Sequence, residues 1–181
     1  MARRQANAMP PLIYIDSCVY IDLVVKNTNV HKKTGKPRWH SAREVFDAVN
    51  HDRARLAASA LIEAEVCCNG QARKDSARVR DLLTGWFTAA STSWTDVDRF
   101  LARDAARLAR EHAHKRENQQ RSFGGADATH MAAAIRLGCD YLMTHDEGFP
   151  LGCTIEGVQV IRPEAVWPAT LMDHLEEAAG A

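Results

Sequence analysis

Short apolar runs of strand length alternate with helical segments along this chain, and that alternation leaves few architectures open. Leu12-Ile13-Tyr14-Ile15 follows Pro10-Pro11 and reads as a buried strand. An apolar helix from about Cys18 follows it. Residues 26–43 form a loop, and a helix near 41–50 carries Val45, Phe46 and Val49. Residues 55–58 read as a second strand, and Ser59 is a candidate N-cap for a helix ending at Asn69-Gly70. A helix over 72–89 places Val79, Leu82, Leu83 and Trp86 at core spacing. Residues 91–94 are a weak strand, and Asp96 or Asp98 opens a helix to residue 114 with Phe100, Leu101, Ala105, Leu108 and Ala109 on one face. A polar loop over 115–125 leads into a helix over 126–137 with Gly138 as its stop. Strands at 141–144 and 158–161 and a C-terminal helix after Pro163 complete the reading. Strands alternating with single helices or helix pairs indicate an α/β fold with a largely parallel sheet.

In such a sheet, residues just past the carboxyl ends of strands line the ligand crevice at a topological switch point. Two carboxylates occupy such positions: Asp16 ends the first strand, and Asp146 follows Thr144-His145 at the end of another. Asp127 and a glutamate at 63 or 65 sit in short helical segments. Gathered together, these groups repel one another unless a cation lies between them, and oxygen donors suit Mg²⁺ or Mn²⁺.

Each carboxylate also has a structural explanation. Asp16 can be a helix N-cap, and Asp146 a turn residue before Gly148. Asp127 can be a helix-start carboxylate facing solvent, although helical spacing aligns it with Met131, Ala134 and Gly138, an apolar stripe on which a charge needs a partner. Glu63 and Glu65 lie roughly 200° apart around their helix, so only one can face the crevice. Glu65 shares a face with Leu61, Ile62 and Cys68, Glu63 with Ala60 and Cys67, and the pattern leans to Glu65.

The bulk properties set the outer limits. The 181 residues suffice for one domain with a hydrophobic core, expected over 12–181 behind a flexible tail at 1–11. With 23 basic and 23 acidic side chains, global charge gives no sign of nucleic-acid binding, and local clusters must carry that argument. No apolar run approaches the roughly 20 residues of a membrane-spanning helix, and the N-terminus has no secretory signal pattern. Five cysteines, none in C-x-x-C spacing, read as reduced core residues of a cytoplasmic protein.

The motifs resemble those of PIN-domain ribonucleases, most closely the VapC-type toxins of bacterial toxin–antitoxin pairs. The matching pieces are Ile13-Tyr14-Ile15-Asp16-Ser17, Ser59-Ala60-Leu61-Ile62-Glu63-Ala64-Glu65-Val66 leading to Gly70, Ala126-Asp127-Ala128-Thr129-His130-Met131-Ala132-Ala133-Ala134, and Asp140-Tyr141-Leu142-Met143-Thr144-His145-Asp146-Glu147-Gly148-Phe149. They span nearly the whole chain, and the last two together are the most specific. The family pattern places its glutamate at Glu65. The chain departs from it at Cys18, where the family commonly has an asparagine beside the first aspartate, and in a long loop over 26–38.

The resemblance implies a three-layer α/β/α fold around a central, largely parallel sheet, and metal-dependent hydrolysis of RNA. Asp16, Glu65, Asp127 and Asp146 would hold one or two Mg²⁺ or Mn²⁺ ions, with Thr144 as a helper. It also implies a small antitoxin partner and a homodimer. Lys26, Lys32, Lys33, Lys36, Arg38 and Arg43, with His31, Trp39 and His40, lie in a stretch without an acidic residue. Lys32, Lys33, Lys36, Arg38 and Trp39 are therefore the candidate RNA contacts, with Arg116 and Arg121 as a second patch. A solvated loop is the structural alternative. Two rival functions are a phosphatase with Asp16 as nucleophile, disfavoured because Cys18 stands where such enzymes carry a second aspartate, and a non-catalytic PIN-fold RNA-binding or scaffold protein.

Overall fold

The computed structural model describes residues 9–68, 76–112 and 123–167. Six strands form one sheet in the order β3-β2-β1-β4-β6-β5. They are β1 (Leu12–Ile15), β2 (Arg55–Ser59), β3 (Ser93–Thr95), β4 (Tyr141–Met143), β5 (Thr154–Ile155) and β6 (Val158–Ile161). All pairings are parallel except β5 with β6. The helices are α1 (Ser17–Val24), α2 (Arg38–Asn50), α3 (Ala60–Cys68), α4 (Ser76–Phe87), α5 (Arg99–Glu111) and α6 (Gly125–Arg136). The result is a three-layer α/β/α fold, with β1 buried along its whole length because helices cover both faces of a parallel sheet.

The chain runs outward from β1 to β2 and β3, then returns to place β4 on the other side of β1. The direction of winding therefore reverses between β1 and β4. Asp16 and Thr144 stand at the carboxyl ends of those two strands. Register supports this placement: Ile15 pairs with Met143, and the Asp16 amide donates to the Met143 carbonyl at 3.0 Å.

Local chemistry explains several element ends. Asp98 caps α5 by accepting from the Phe100 and Leu101 amides, and both guanidinium nitrogens of Arg136 on α6 reach its carboxylate at 3.0 Å. Those contacts, Arg136 first, pull the Asp98 carboxyl down to about 2. Gly138 takes φ +67° just past α6, the left-handed geometry expected of a helix stop. Arg55 ties residues 10 and 11 to the sheet, donating through its side chain to the Pro10 carbonyl and through its amide to that of Pro11.

Several expectations differ in detail. Helix α2 begins at Arg38, directly after Pro37, and β3 begins two residues later and ends one residue later than the expected 91–94. Phe100 is 61% exposed, whereas Leu101, Ala105 and Leu108 are buried. Ser59 is the last residue of β2, and its hydroxyl meets Tyr14. Trp86 stacks on Phe46 with centroids 4.0 Å apart. Cys67 and Cys68 are exposed at the end of α3, not in the core, and all five cysteines are free. The helix expected after Pro163 is not formed over residues 164–167, and the rest of it, the expected stop at Asn69-Gly70 and the patch at Arg116 and Arg121 lie outside the described residues. Among the described residues, no helix is long and apolar enough to cross a membrane.

Candidate metal and active site

Asp16 occupies the N-cap position of α1 with extended backbone, yet its side chain makes no capping bond. The carboxylate turns instead toward β4. The Thr144 hydroxyl donates to its Oδ2 at 2.6 Å, and the Cys18 thiol donates to the same oxygen at 3.0 Å. Burial, followed by the Asp16 charge, holds the Cys18 thiol well above its ordinary pKa, so it stays a donor. Cys18 thus supplies a hydrogen bond to Asp16 from the position where asparagine was expected. Thr144 is fully buried and also accepts from the Asp146 amide at 2.9 Å. One hydroxyl therefore links Asp16 to the loop that carries Asp146.

Of the two glutamates, Glu65 faces this centre and Glu63 is exposed. Glu65 Oε2 lies 3.0 Å from His130 Nε2, and that nitrogen lies 3.7 Å from Asp16 Oδ1. The donor atoms of Asp16, Glu65 and His130 all fall within 4.8 Å of one another, the sole such group of three among the described residues. His130 was not singled out from the sequence. Its signal was the i,i+3 spacing from Asp127, which puts both on one face of α6.

His130 is buried, and its second nitrogen, Nδ1, lies 3.0 Å from the Tyr14 hydroxyl, itself 2.7 Å from Ser59 Oγ. Burial opposes its protonation, but the Glu65 hydrogen bond and the charges of Asp16, Glu65 and Asp127 outweigh that and raise its pKa. The Asp127 carboxylate is thus part of the same electrostatic centre. Asp127 is 7% exposed and accepts from the Gly124 amide at 3.1 Å, so it also closes the first turn of α6. Asp146 accepts from the Gly148 amide at 2.7 Å, the geometry of a turn aspartate, and stands outside the three-donor group.

The basic loop is largely engaged within the protein. Arg38 Nε lies 2.8 Å from the buried Asp22, whose other oxygen accepts from Asn27 at 2.6 Å. Lys32 pairs with Glu147, Lys33 with Glu164, and Lys36 Nζ lies 3.6 Å from Glu44. Trp39 is half-buried and meets His40 edge-on. Buried His31 sits against buried His145, their ring centroids 5.0 Å apart. Burial, and then the charges of Arg38, His31 and Arg162, press the His145 pKa down to about 3. This neutral, buried pair anchors the loop beside the strand end that carries Thr144.

The family model of the PIN domain matches residues 13–151, more than half of the chain. No curated protein matches it. Three solved structures share its fold at low identity. A toxin–antitoxin complex from Klebsiella pneumoniae aligns with TM-score 0.53 and 18% identity over 85% of this chain and 99% of that one. The Mycobacterium tuberculosis toxin VapC20, described as cleaving the sarcin–ricin loop, gives 0.54 and 16% over 83% and 99%. VapBC2 of Rickettsia felis, bound to a DNA fragment from its promoter, gives 0.51 and 11% over 84% and 99%.

Proposed function

Because the chain belongs to the PIN domain family, we propose that it is a metal-dependent endoribonuclease and the toxin of a type II toxin–antitoxin pair. The observation that carries this reading is the convergence of Asp16 and Glu65 on His130 at the switch point between β1 and β4. The donor set fits a hard divalent cation, since acidic groups this close need positive charge between them. Asp16, Glu65, Asp127 and Asp146 would hold Mg²⁺ or Mn²⁺, directly or through water. When bound, the cation would acidify the attacking water and neutralise charge on the scissile phosphate. Thr144 and Cys18 hold the Asp16 carboxylate in its orientation. A carboxylate not committed to the cation would orient the attacking water as general base.

The substrate reading draws on the lysines. Lys32, Lys33 and Lys36 make exposed ion pairs, which contribute roughly 0–1 kcal/mol and can be exchanged for phosphate contacts. Arg38 is committed to Asp22, and its part in RNA binding would be to hold the loop. A structured RNA loop is the first substrate to test, because VapC20 is described as cutting one. A small antitoxin partner, a homodimer and a cytoplasmic location complete the proposal, the partner supported by the fold shared with toxin–antitoxin complexes.

The test incubates purified protein with structured and unstructured RNA, with Mg²⁺, with Mn²⁺, and with a chelator. Cleavage is expected with metal alone, and Asp16→Asn and Asp127→Asn should abolish it. Absence of cleavage with metal, or variants as active as wild type, would end the nuclease assignment. The toxin role is tested by expression: growth should stop, and co-expression of a small protein encoded beside it should restore growth.

A further inference from the structure

We infer that His130 is itself a metal ligand, contributing Nε2 to the cation held by Asp16 and Glu65, and that Tyr14 and Ser59 set its ring for that task. The inference rests on the metal-dependent reading above and adds a nitrogen donor to a site read so far as all oxygen.

Separation of the donors is the first argument. Two ligands at right angles on bonds of about 2.1 Å stand about 3.0 Å apart, and at wider angles up to about 4.2 Å. His130 Nε2 lies 3.0 Å from Glu65 Oε2 and 3.7 Å from Asp16 Oδ1, within that range before any adjustment.

The second argument is the ring's other nitrogen. A metal-bound histidine donates its remaining N–H to a fixed acceptor, which selects the tautomer and orients the ring. His130 Nδ1 faces the Tyr14 hydroxyl at 3.0 Å, and that hydroxyl meets Ser59 Oγ at 2.7 Å. Hydroxyls can donate or accept, so this chain runs either way. With Nε2 protonated, Nε2–H donates to Glu65 and Tyr14 donates to Nδ1. With Nδ1 protonated, Nδ1–H donates to Tyr14, Tyr14 donates to Ser59, and the Nε2 lone pair faces two carboxylates. A lone pair in that position is unfavourable until a proton or a metal ion accepts it.

Its surroundings supply the third argument. A buried histidine is most often a satisfied core residue, and the neighbours of His130 on α6 are the core residues Ala128, Met131, Ala132, Ala133 and Ala134. A satisfied neutral imidazole needs one acceptor for its N–H and one donor for its other nitrogen. His130, 2% exposed, instead meets two carboxylates through one nitrogen.

The consequence is a choice of ion. Nitrogen donors favour first-row transition ions over Mg²⁺, which takes oxygen ligands. The site should therefore bind Mn²⁺ at least about tenfold more tightly than Mg²⁺.

Electron spin-echo modulation of Mn²⁺ bound to the full chain tests this directly. Wild type should show ¹⁴N modulation from a coordinated imidazole, converted to the ¹⁵N pattern when the protein is grown on ¹⁵N-histidine, an arm that needs no substitution. His130→Asn should lose it, and Tyr14→Phe, which keeps the buried ring, should weaken Mn²⁺ binding by about 10–100-fold. Calorimetry with Mn²⁺ and Mg²⁺ reads the affinities. Bound Mn²⁺ with no nitrogen modulation, or modulation that survives His130→Asn, overturns the ligand assignment and leaves the nuclease reading standing. Failure of Mn²⁺ to bind at all overturns both.

Discussion

Replacing Thr144 with valine removes one hydroxyl and keeps the shape of the side chain. In a fully buried position that hydroxyl donates to Asp16 Oδ2 at 2.6 Å and accepts from the Asp146 amide at 2.9 Å, with Cys18 Sγ a weaker third partner at 3.5 Å. A hydrogen bond to a charged group contributes about 1.5–3 kcal/mol, and orphaning a buried amide costs about 1–3 kcal/mol. The Asp146 side is partly open to water, which places its share at the low end. The expected loss is about 3 kcal/mol, or a melting point lower by about 6–12 °C for a chain of this size. Thermal melts and urea unfolding of wild type, Thr144→Val and Thr144→Ser measure it. Serine keeps the hydroxyl and should lose only about 1 kcal/mol, from its missing methyl. If valine lies within about 0.5 kcal/mol of wild type, the hydroxyl does not tie β1 to β4, since that is the ordinary scatter of neutral substitutions. If serine is as damaging as valine, the loss comes from methyl packing and the argument fails.

Three further outcomes follow from the same geometry. Arg38→Met strips the buried Asp22 of its cation, and because Arg38 is partly exposed the cost in urea unfolding should be about 2 kcal/mol, below the 3–5 typical of a fully buried pair. His145 titrates near 3 in the folded protein against about 6.5 unfolded, so the unfolded chain binds more protons below pH 6.5. Stability should fall as the pH drops from 6.5 toward 3, by at most about 1.4 kcal/mol per pH unit and less with solvent screening. Denaturant titrations at pH 7, 6 and 5 should give a shallower slope for His145→Asn, and an unchanged slope counts against a buried neutral His145. Glu65→Gln should lower Mn²⁺ affinity by at least about tenfold while Glu63→Gln stays near wild type, read by calorimetry.

The parallel core was readable because buried strands are short apolar runs: Leu12–Ile15 is buried throughout, and Tyr141–Met143 is buried but for Tyr141. Their aspartate and threonine ends could be placed at the switch point, but not the direction in which Asp16 turns. Its backbone is that of an ordinary N-cap, and the bonds that hold the carboxylate come from the Thr144 hydroxyl across the sheet and from the Cys18 thiol. Phe100 reads with Leu101, Ala105, Leu108 and Ala109 as one face of α5, yet successive residues lie about 100° apart, and the stripe that buries is Leu101, Ala105 and Leu108. Strand β5 has two residues, too few for any periodic signal. Its turn to β6 uses Glu156 and Gly157, both with positive φ, where Asn-Gly would have been the recognisable sequence. His130 was hidden for a different reason: an imidazole on an alanine-rich face reads as core until a partner from β1 and another from α3 are brought to its two nitrogens.

The brevity of β3 and β5 bears on how this protein meets others. These are the two edges of the sheet, three and two residues long. An incoming strand would find at most one or two main-chain bonds to make on either side, too few to hold a ribbon in register. Among the described residues, the sheet edges thus offer little to an added strand. Among the described residues, the surface left for a second copy or another protein is that of side chains on helices and loops, where sequence sets the fit.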